Sequence, residues 1–214
     1  MNVAEIAETR VFTAAQILPN RLTWEEYLQF GEENTLAEWL DGRVIVLFSG
    51  STKHQDIVGF LLTVIQLFIE THDLGRVFTA PYAMKLEKQK RGREPDVLFV
   101  SREREHLITP TFLNGAADLV IEIISPESIE RDSVQKFIEY EAAGVKEYWL
   151  IDYTNEIATF YELDNENHYQ AAKLTDNTFY SKVLPNFFIR TSWLWQERLQ
   201  TIGVLQQLKV IGEK

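Results

Sequence analysis

Residues 118–124 read Asp-Leu-Val-Ile-Glu-Ile-Ile, an almost wholly apolar run with one carboxylate, Glu122, inside it. Such a short apolar run predicts a central β-strand that is covered on both faces. Side chains alternate between the two faces of a strand, so Val120, Glu122 and Ile124 share one face. A carboxylate there is costly unless it is paired, protonated or bound to a cation. Two interpretations of Glu122 stay open: a salt bridge at the sheet face, or a metal ligand.

A second carboxylate, Asp96, follows Pro95 at the start of another apolar run, residues 97–100. The proline disfavours helix at Glu94 and presents the aspartate at a strand end. Pro-Asp is also common at turns, so a purely structural role for Asp96 stays open. Two carboxylates that point to one face of neighbouring strands repel each other unless a cation sits between them. Hard oxygen ligands of this kind suit Mg²⁺ or Mn²⁺, so we predict that Asp96 and Glu122 hold one.

Helix and strand signals alternate on both sides of these two runs. A capping box at Thr23 predicts a short helix, and Asp41-Gly42 predicts the tip of a hairpin over residues 37–47. We expect helices over 54–72 and 132–143, a helix after 191, strands over 77–86, 95–100, 147–153 and 157–163, and a turn over 88–92. The fold class is therefore α/β, with a mixed central sheet flanked by helices.

Composition limits the domain organisation and the cellular setting. The chain has 214 residues, 45% of them hydrophobic, and no cysteine. We expect one domain over residues 22–214, preceded by a segment, 1–21, that shows no clear period and could be flexible. The lack of cysteine excludes disulfides and thiolate metal sites and makes the cytoplasm the natural default. The acids Glu5 and Glu8 argue against a signal peptide, and the longest apolar stretch, 57–69, is too short to span a membrane.

The net charge of −11 argues against a general nucleic-acid coating protein, which would need a basic surface. It does not exclude a nuclease, because carboxylates that bind metal count as negative until the metal arrives. One local basic cluster precedes Asp96, with only Glu87 opposing it, and could guide a phosphate backbone towards the acids. A solvated turn is the alternative. The cluster consists of Lys85, Lys88, Lys90, Arg91 and Arg93.

The spacing of Pro95-Asp96 and Glu122 resembles the PD-(D/E)XK nuclease signature. More closely, the chain resembles the Uma family of bacterial proteins with a restriction-endonuclease-like fold. The resemblance covers about residues 22–190, and its most specific part is Ala-Gly-Val-Lys-Glu-Tyr-Trp-Leu-Ile-Asp at 143–152. It implies Mg²⁺- or Mn²⁺-dependent hydrolysis of phosphodiester bonds in DNA. The other matching stretches are 36–42, His54-Gln55, 94–100, 118–126, Arg131-Asp132, Lys136 and Tyr140.

One departure from the signature matters. The usual lysine lies two residues after the acid, and that position is Ile124. Asp132, Lys136 and Tyr140 are spaced to form one stripe on the next predicted helix, so Lys136 can supply the missing ammonium. The resemblance implies that this relocated lysine completes the site. An ordinary surface pair of Asp132 with Lys136 is the alternative.

Two further residues lie at positions that match the family. Glu38 occupies the place of the family's N-terminal acidic residue, and a solvent-facing strand glutamate is the alternative. His54 begins the long helix, where a histidine is more often a cap or a packing residue than a ligand. We count Asp96, Glu122, Lys136 and Glu38 as catalytic candidates. The candidates for substrate binding are His54, Lys88, Lys90, Arg91 and Tyr140.

Three functions remain open after this reading. The first is a DNA endonuclease, with a homodimer expected from the need to cut two strands and with no membrane association. The second is a non-catalytic interaction protein that keeps the nuclease fold, which the acidic charge and the displaced lysine favour. The third is a metal hydrolase that acts on a smaller phosphoester. Metal-dependent cleavage of a plasmid separates these functions best.

Overall fold

The computed structural model describes residues 15–18, 20–30, 36–47, 51–124 and 134–212. Residues 118–124 form the predicted central strand, which begins one residue later and is buried along its whole length. It lies between an antiparallel and a parallel neighbour in a mixed six-stranded sheet. In spatial order the strands are β12 (Tyr169–Ala171), β11 (Ile157–Leu163), β10 (Glu147–Asp152), β9 (Leu119–Ile124), β7 (Val97–Ser101) and β4 (Gly75–Thr79).

A second six-stranded sheet carries the predicted hairpin. Asp41 and Gly42 adopt φ of 47° and 89° at its tip, as a tight turn of this type requires. A two-stranded ribbon, β13 (Thr178–Tyr180) with β14 (Phe188–Arg190), lies further along the chain. In spatial order the second sheet contains β1 (Ala15–Ile17), β3 (Arg43–Leu47), β2 (Ala37–Leu40), β6 (Arg91–Arg93), β5 (Ala83–Leu86) and β8 (Phe112–Leu113).

The prediction of one strand over 77–86 is wrong. The chain leaves β4 at Thr79, passes the cis peptide bond before Pro81, and enters β5 in the other sheet. Proline lacks the N–H that a continuous ladder needs, so it separates the two strands. The predicted turn over 88–92 is shorter than expected. Lys90 donates its backbone N–H to Glu87, and the chain is already back in strand at Arg91.

Four α-helices lie in the described ranges. The capping box of α1 (Trp24–Leu28) is confirmed, because Thr23 and Glu26 each bond the other's backbone N–H. The helix α2 (Thr52–His72) begins two residues before its predicted start. The helix α3 (Lys136–Ala143) ends at Gly144 in the left-handed region, while its predicted first residue, Asp132, lies outside the described residues. The helix expected after Thr191 is a 3₁₀ turn, Thr191–Trp193, followed by α4 (Thr201–Gln207).

The two faces of β9 pack against different helices, as its alternation predicts. Ile121 and Ile123 belong to the apolar cluster that contains the buried side chains of α2. Val120 belongs to the opposite cluster, with Tyr140 of α3. The predicted fold class, mixed α/β with helices flanking a central sheet, is confirmed. The alternation along β9 points Glu122 towards α3. Among the residues that the structure describes, no helix is both long and apolar enough to cross a membrane.

A buried carboxylate and lysine network as candidate active site

Glu122 meets the stripe that α3 presents to the sheet. Its Oε1 accepts hydrogen bonds from Lys136 Nζ at 2.9 Å and from the Tyr140 hydroxyl at 2.7 Å. These two donors lie one helical turn apart, which is why the i, i+4 spacing delivers both to one oxygen. Lys136 is 2% exposed. The interpretation of Lys136 as half of a surface ion pair is therefore wrong, and its predicted approach to Glu122 is confirmed.

Glu38 reaches the same ammonium from the other sheet. Its Oε1 lies 3.0 Å from Lys136 Nζ, and its Oε2 accepts a 2.5 Å hydrogen bond from Arg93 Nη1. The side chain is wholly buried. The interpretation of Glu38 as a solvent-facing strand residue is therefore wrong. Lys136 lies between one carboxylate of each large sheet.

Asp96 approaches Glu122 through the backbone of β9. Its Oδ2 accepts a 2.7 Å hydrogen bond from the N–H of Ile123, the residue that follows Glu122. The antiparallel register pairs Val97 with Ile121. Continued by one residue, that register sets Asp96 opposite Glu122. That the two carboxylates share one cation stays a prediction.

His54 lies beside Asp96 and not among the residues around Lys136. Its Nε2 is 3.1 Å from Asp96 Oδ1, and the two side chains are 13% and 19% exposed. Its backbone N–H is capped by the Ser51 hydroxyl at the start of α2. The predicted residues thus form two groups. One is Asp96 with His54, and the other is Glu122 with the residues around Lys136. The hydrogen bond from the N–H of Ile123 to Asp96 connects the two groups.

The basic cluster before Asp96 does not face outward as a set. Arg91 Nε donates to Glu139 Oε1 of α3 at 2.7 Å, while Lys90 Nζ lies 3.7 Å from Asp41 Oδ1. Lys88 and Lys90 are exposed, whereas Arg93 is wholly buried. Glu139 and Asp41, in addition to Glu87, therefore offset the positive charge of the basic cluster. The two lysines remain candidates for phosphate contact. Both arginines pair with Glu139, Arg93 wholly buried and Arg91 partly exposed.

Sequence reasoning missed Arg93 and Glu139 as parts of the site. Arg93 Nε donates to Glu139 Oε2 at 2.7 Å, in addition to its bond with Glu38. In the structure, the glycine between the two arginines shows how tightly β6 is packed. A Cβ at Gly92 would lie 2.4 Å from Cζ3 of Trp24, so the strand passes too close to that ring for any side chain. A charged run packed this tightly is not a solvated turn.

The resulting set, which we call the carboxylate–cation network, is balanced in charge. Its three carboxylates and three cations are Glu38, Glu122, Glu139, Arg91, Arg93 and Lys136, all within the described residues. Burial opposes the charge of Arg93, but Glu38 and then Glu139 outweigh it and raise its pKa. Burial, reinforced by Glu122, holds the pKa of Tyr140 well above its ordinary value, so this hydroxyl remains a donor.

Glu94 is a buried acid beside the network that the sequence did not single out. Its Oε2 accepts from Ala37 N at 3.0 Å, and its Oε1 lies 2.9 Å from the Tyr27 hydroxyl. That hydroxyl is also 2.7 Å from the carbonyl oxygen of Ala37. One hydroxyl proton cannot serve both oxygens, whereas a proton on Glu94 satisfies every contact. Burial raises the pKa of Glu94 to about 7, in keeping with this arrangement.

The donors at Asp96 and Glu122 are carboxylate oxygens, the ligand type that Mg²⁺ prefers. In the described part of the chain, no group of three or more His, Asp or Glu residues is arranged to hold a metal ion. A cation here would therefore keep several water ligands, which is the usual state of Mg²⁺ in proteins. The donor set fits Mg²⁺ or Mn²⁺ bound by few protein groups.

The mixed central sheet with helices on both faces is the α/β fold expected for a restriction-endonuclease-like protein. The chain belongs to the Uma2 family, whose model, described as "putative restriction endonuclease", matches residues 24–192. A similar solved structure is that of a "putative nuclease belonging to DUF820" from Anabaena variabilis ATCC 29413. The TM-score is 0.67 at 18% identity, over 81% of this chain and 97% of that one. No curated protein matches the sequence.

Proposed function

We propose that the chain is a metal-dependent endonuclease that hydrolyses phosphodiester bonds of DNA, with Mg²⁺ or Mn²⁺ at Asp96 and Glu122. The observation that carries this proposal is the 2.9 Å contact between Lys136 Nζ and Glu122 Oε1. The strand lacks the usual lysine because Ile124 occupies its position, yet the next helix delivers an ammonium to the same acid. The family description, "putative restriction endonuclease", supports the same reaction.

Each residue of the site has a separate role in this proposal. Asp96 and Glu122 would hold the cation, together with the carbonyl of Ile123. The bound cation would polarise a phosphoryl oxygen and acidify a water molecule. Lys136 orients that water or neutralises charge that grows on the phosphoryl oxygens. Tyr140 is wholly buried and donates to Glu122, so its role is to orient this carboxylate rather than to touch DNA.

Contact with DNA would come from exposed groups on the β5–β6 hairpin. Lys88 and Lys90 lie in the turn that leads through β6 to Asp96 and are exposed. Phosphate contacts by such lysines release counterions and favour binding even on an acidic protein. A homodimer would place two sites on the two strands of a duplex, and sedimentation of the pure protein measures this.

A second function is a non-catalytic interaction protein that keeps the nuclease fold. The observation that favours it is the charge balance of the carboxylate–cation network, which needs no metal to offset its acids. In this reading Lys136 is a structural counter-ion. The two functions differ in whether the ammonium acts on a substrate.

Cleavage of supercoiled plasmid by the pure protein tests the proposal. We expect nicking with Mn²⁺ or Mg²⁺, none with EDTA, and none from Asp96→Ala. Asp56→Ala changes an exposed carboxylate near the start of α2 and serves as the matched control. Cleavage that persists in Asp96→Ala would point to a contaminating nuclease. A folded, metal-binding wild type that leaves plasmid and small phosphodiesters intact would favour the non-catalytic function.

A further inference from the structure

We infer that Arg93 is a positioning residue that joins Glu38 to Glu139 and so fixes where the Lys136 ammonium meets Glu122. The effect on cleavage rests on the proposed function, whereas the placement of Lys136 is a property of the metal-free protein. Arg93 does not reach the reacting atoms in this account. It acts through two carboxylates that lie on different elements of the fold.

The hydrogen bond of Arg93 to Glu139, which we call the first arm, fixes the position of α3. Arg93 Nε donates to Glu139 Oε2 at 2.7 Å, and the Arg93 side chain is wholly buried on β6. Glu139 lies three residues after Lys136 on α3, about one helical turn away, so the two side chains project from nearly the same face. Holding Glu139 therefore fixes the backbone from which Lys136 extends.

The hydrogen bond of Arg93 to Glu38, the second arm, fixes the position of the Lys136 ammonium. Arg93 Nη1 donates to Glu38 Oε2 at 2.5 Å, while the other oxygen of Glu38 lies 3.0 Å from Lys136 Nζ. A carboxylate that serves two cations through its two oxygens cannot rotate without losing one of them. Arg93 therefore sets the orientation of Glu38, which in turn sets the position of the ammonium next to Glu122.

Only arginine can make both arms at once. Its guanidinium carries donors in a rigid planar fork, so Nε and Nη1 point to separate acceptors at fixed angles. A lysine at this position has a single nitrogen, which could bond either Glu139 of α3 or Glu38 of β2 in the same fixed geometry but not both. Arg91 provides a natural comparison, because it donates to Glu139 Oε1 and to two backbone carbonyls. It lies at the partly exposed end of the network.

The ammonium itself reports the placement of Lys136. A buried, hydrogen-bonded lysine ammonium exchanges slowly enough with water for its ¹H–¹⁵N correlation to be recorded. In the metal-free wild type we expect such a signal, assigned by its loss in Lys136→Gln. Arg93→Gln should shift or broaden it into exchange with water, and Glu139→Gln should do so in part. Arg43→Gln, which removes an exposed arginine of β3, is the matched control and should leave it within line width.

Cleavage kinetics provide the second readout. For Arg93→Gln we expect kcat to fall roughly 10²-fold, the usual cost of a catalytic group displaced by about 1 Å. The KM for DNA and the Kd for Mn²⁺ should stay within about twofold, because Arg93 contacts neither in this account. A purely structural loss would instead lower the fraction of active protein and leave kcat per folded molecule unchanged.

Two results would overturn the inference. One is an unchanged Lys136 signal in folded Arg93→Gln and Glu139→Gln. The other is an equal shift from Arg43→Gln. If Arg93→Gln does not fold, Glu139→Gln decides, since it removes one arm and keeps the Arg93–Glu38 pair. If the wild type cleaves no DNA, the proposed function fails, and the ammonium spectrum still decides the positioning role.

Discussion

Lys136 Nζ lies 2.9 Å from Glu122 Oε1, although fourteen positions of sequence and a change from strand to helix separate the two residues. In the usual nuclease signature the acid and the lysine lie two residues apart on one face of one strand, so the pleat fixes their separation. Here the separation depends on how α3 docks on the sheet.

Glu122→Gln should lower the stability of the metal-free protein by about 1 to 3 kcal/mol, because a buried Lys136 loses one of its facing charges. The sequence alone suggested the opposite sign, since it placed two repelling acids together without a cation. Urea unfolding in EDTA measures the change. The same substitution at exposed Glu166 should have little effect. A Glu122→Gln protein as stable as wild type would show that the pair is not structural.

Lys136→Ala should reduce kcat for cleavage by roughly 10²-fold or more, because it removes the group assigned to water and phosphate. Metal affinity should be kept or strengthened, since a competing positive charge is gone. Lys146 is the control; it lies 2.8 Å from Asp118 at the other end of β9 and is 58% exposed. Steady-state kinetics on folded protein compare the two. Equal losses would remove the case for a special role of Lys136.

Mn²⁺ should raise the Tm of the wild type, because only the folded chain assembles the ligands. At a hundredfold excess over Kd, about 2.7 kcal/mol of linkage corresponds to a rise of about 5–10 °C. Asp96→Asn should lose this rise, while Asp56→Asn should keep it. Calorimetry with and without the ion checks both. An undiminished rise in Asp96→Asn would place the metal elsewhere.

Glu94→Gln should change how stability depends on pH. The folded-state pKa of about 7 lies above the ordinary value of 4.5, so the folded state keeps a proton that the unfolded chain has lost between these values. Stability from this group is full below pH 4.5 and is lost as pH rises to about 7. Glutamine mimics the protonated acid: it can accept from Ala37 N and donate to the Tyr27 hydroxyl.

We therefore expect Glu94→Gln to match the wild type near pH 4 and to exceed it by about 3 kcal/mol at pH 8. Chemical unfolding in EDTA across this range yields the difference, in which the contributions of other acids cancel. A constant difference at all pH values would mean that Glu94 does not titrate between the two states in this range.

Lys88→Gln with Lys90→Gln should weaken DNA binding and reduce the slope of log K against log salt by about 2, roughly 0.9 for each lost phosphate contact. Hydrolysis of a small phosphodiester should hardly change. The exposed lysines Lys173 and Lys209, which lie outside the β5–β6 hairpin, provide the matched pair of controls. Salt titrations of binding would contradict the guide role if both pairs gave the same slope.

The parts of the site that the sequence predicted are those governed by local periodicity. Alternation in β9 and the four-residue spacing of Lys136 and Tyr140 fix which side chains share a face, and both were correct. The parts that it missed depend on contacts between elements. Glu139 meets Arg93 across two elements, and no pattern within either one signals the partner.

The fold shows the same division. The hairpin turn at Asp41-Gly42 and the helix end at Gly144 were predicted because their backbone conformations are encoded locally. The split of residues 77–86 into β4 and β5 was missed because apolar content on both sides outweighed Pro81. Which sheet a strand joins depends on its packing partners, and short apolar strands look alike in sequence.

The position of Glu122 at the centre of β9 also bears on how the sheet pairs correctly while it forms. A slip of β9 by one residue would turn Glu122 towards α2 and would point an isoleucine at the ammonium of Lys136. The carboxylate would then enter the apolar cluster of Ile57 and Phe60, at a cost of several kcal/mol. A strand of six apolar residues without a buried charge would lack this penalty. In this chain, one charged side chain makes the wrong alignment far less stable than the right one.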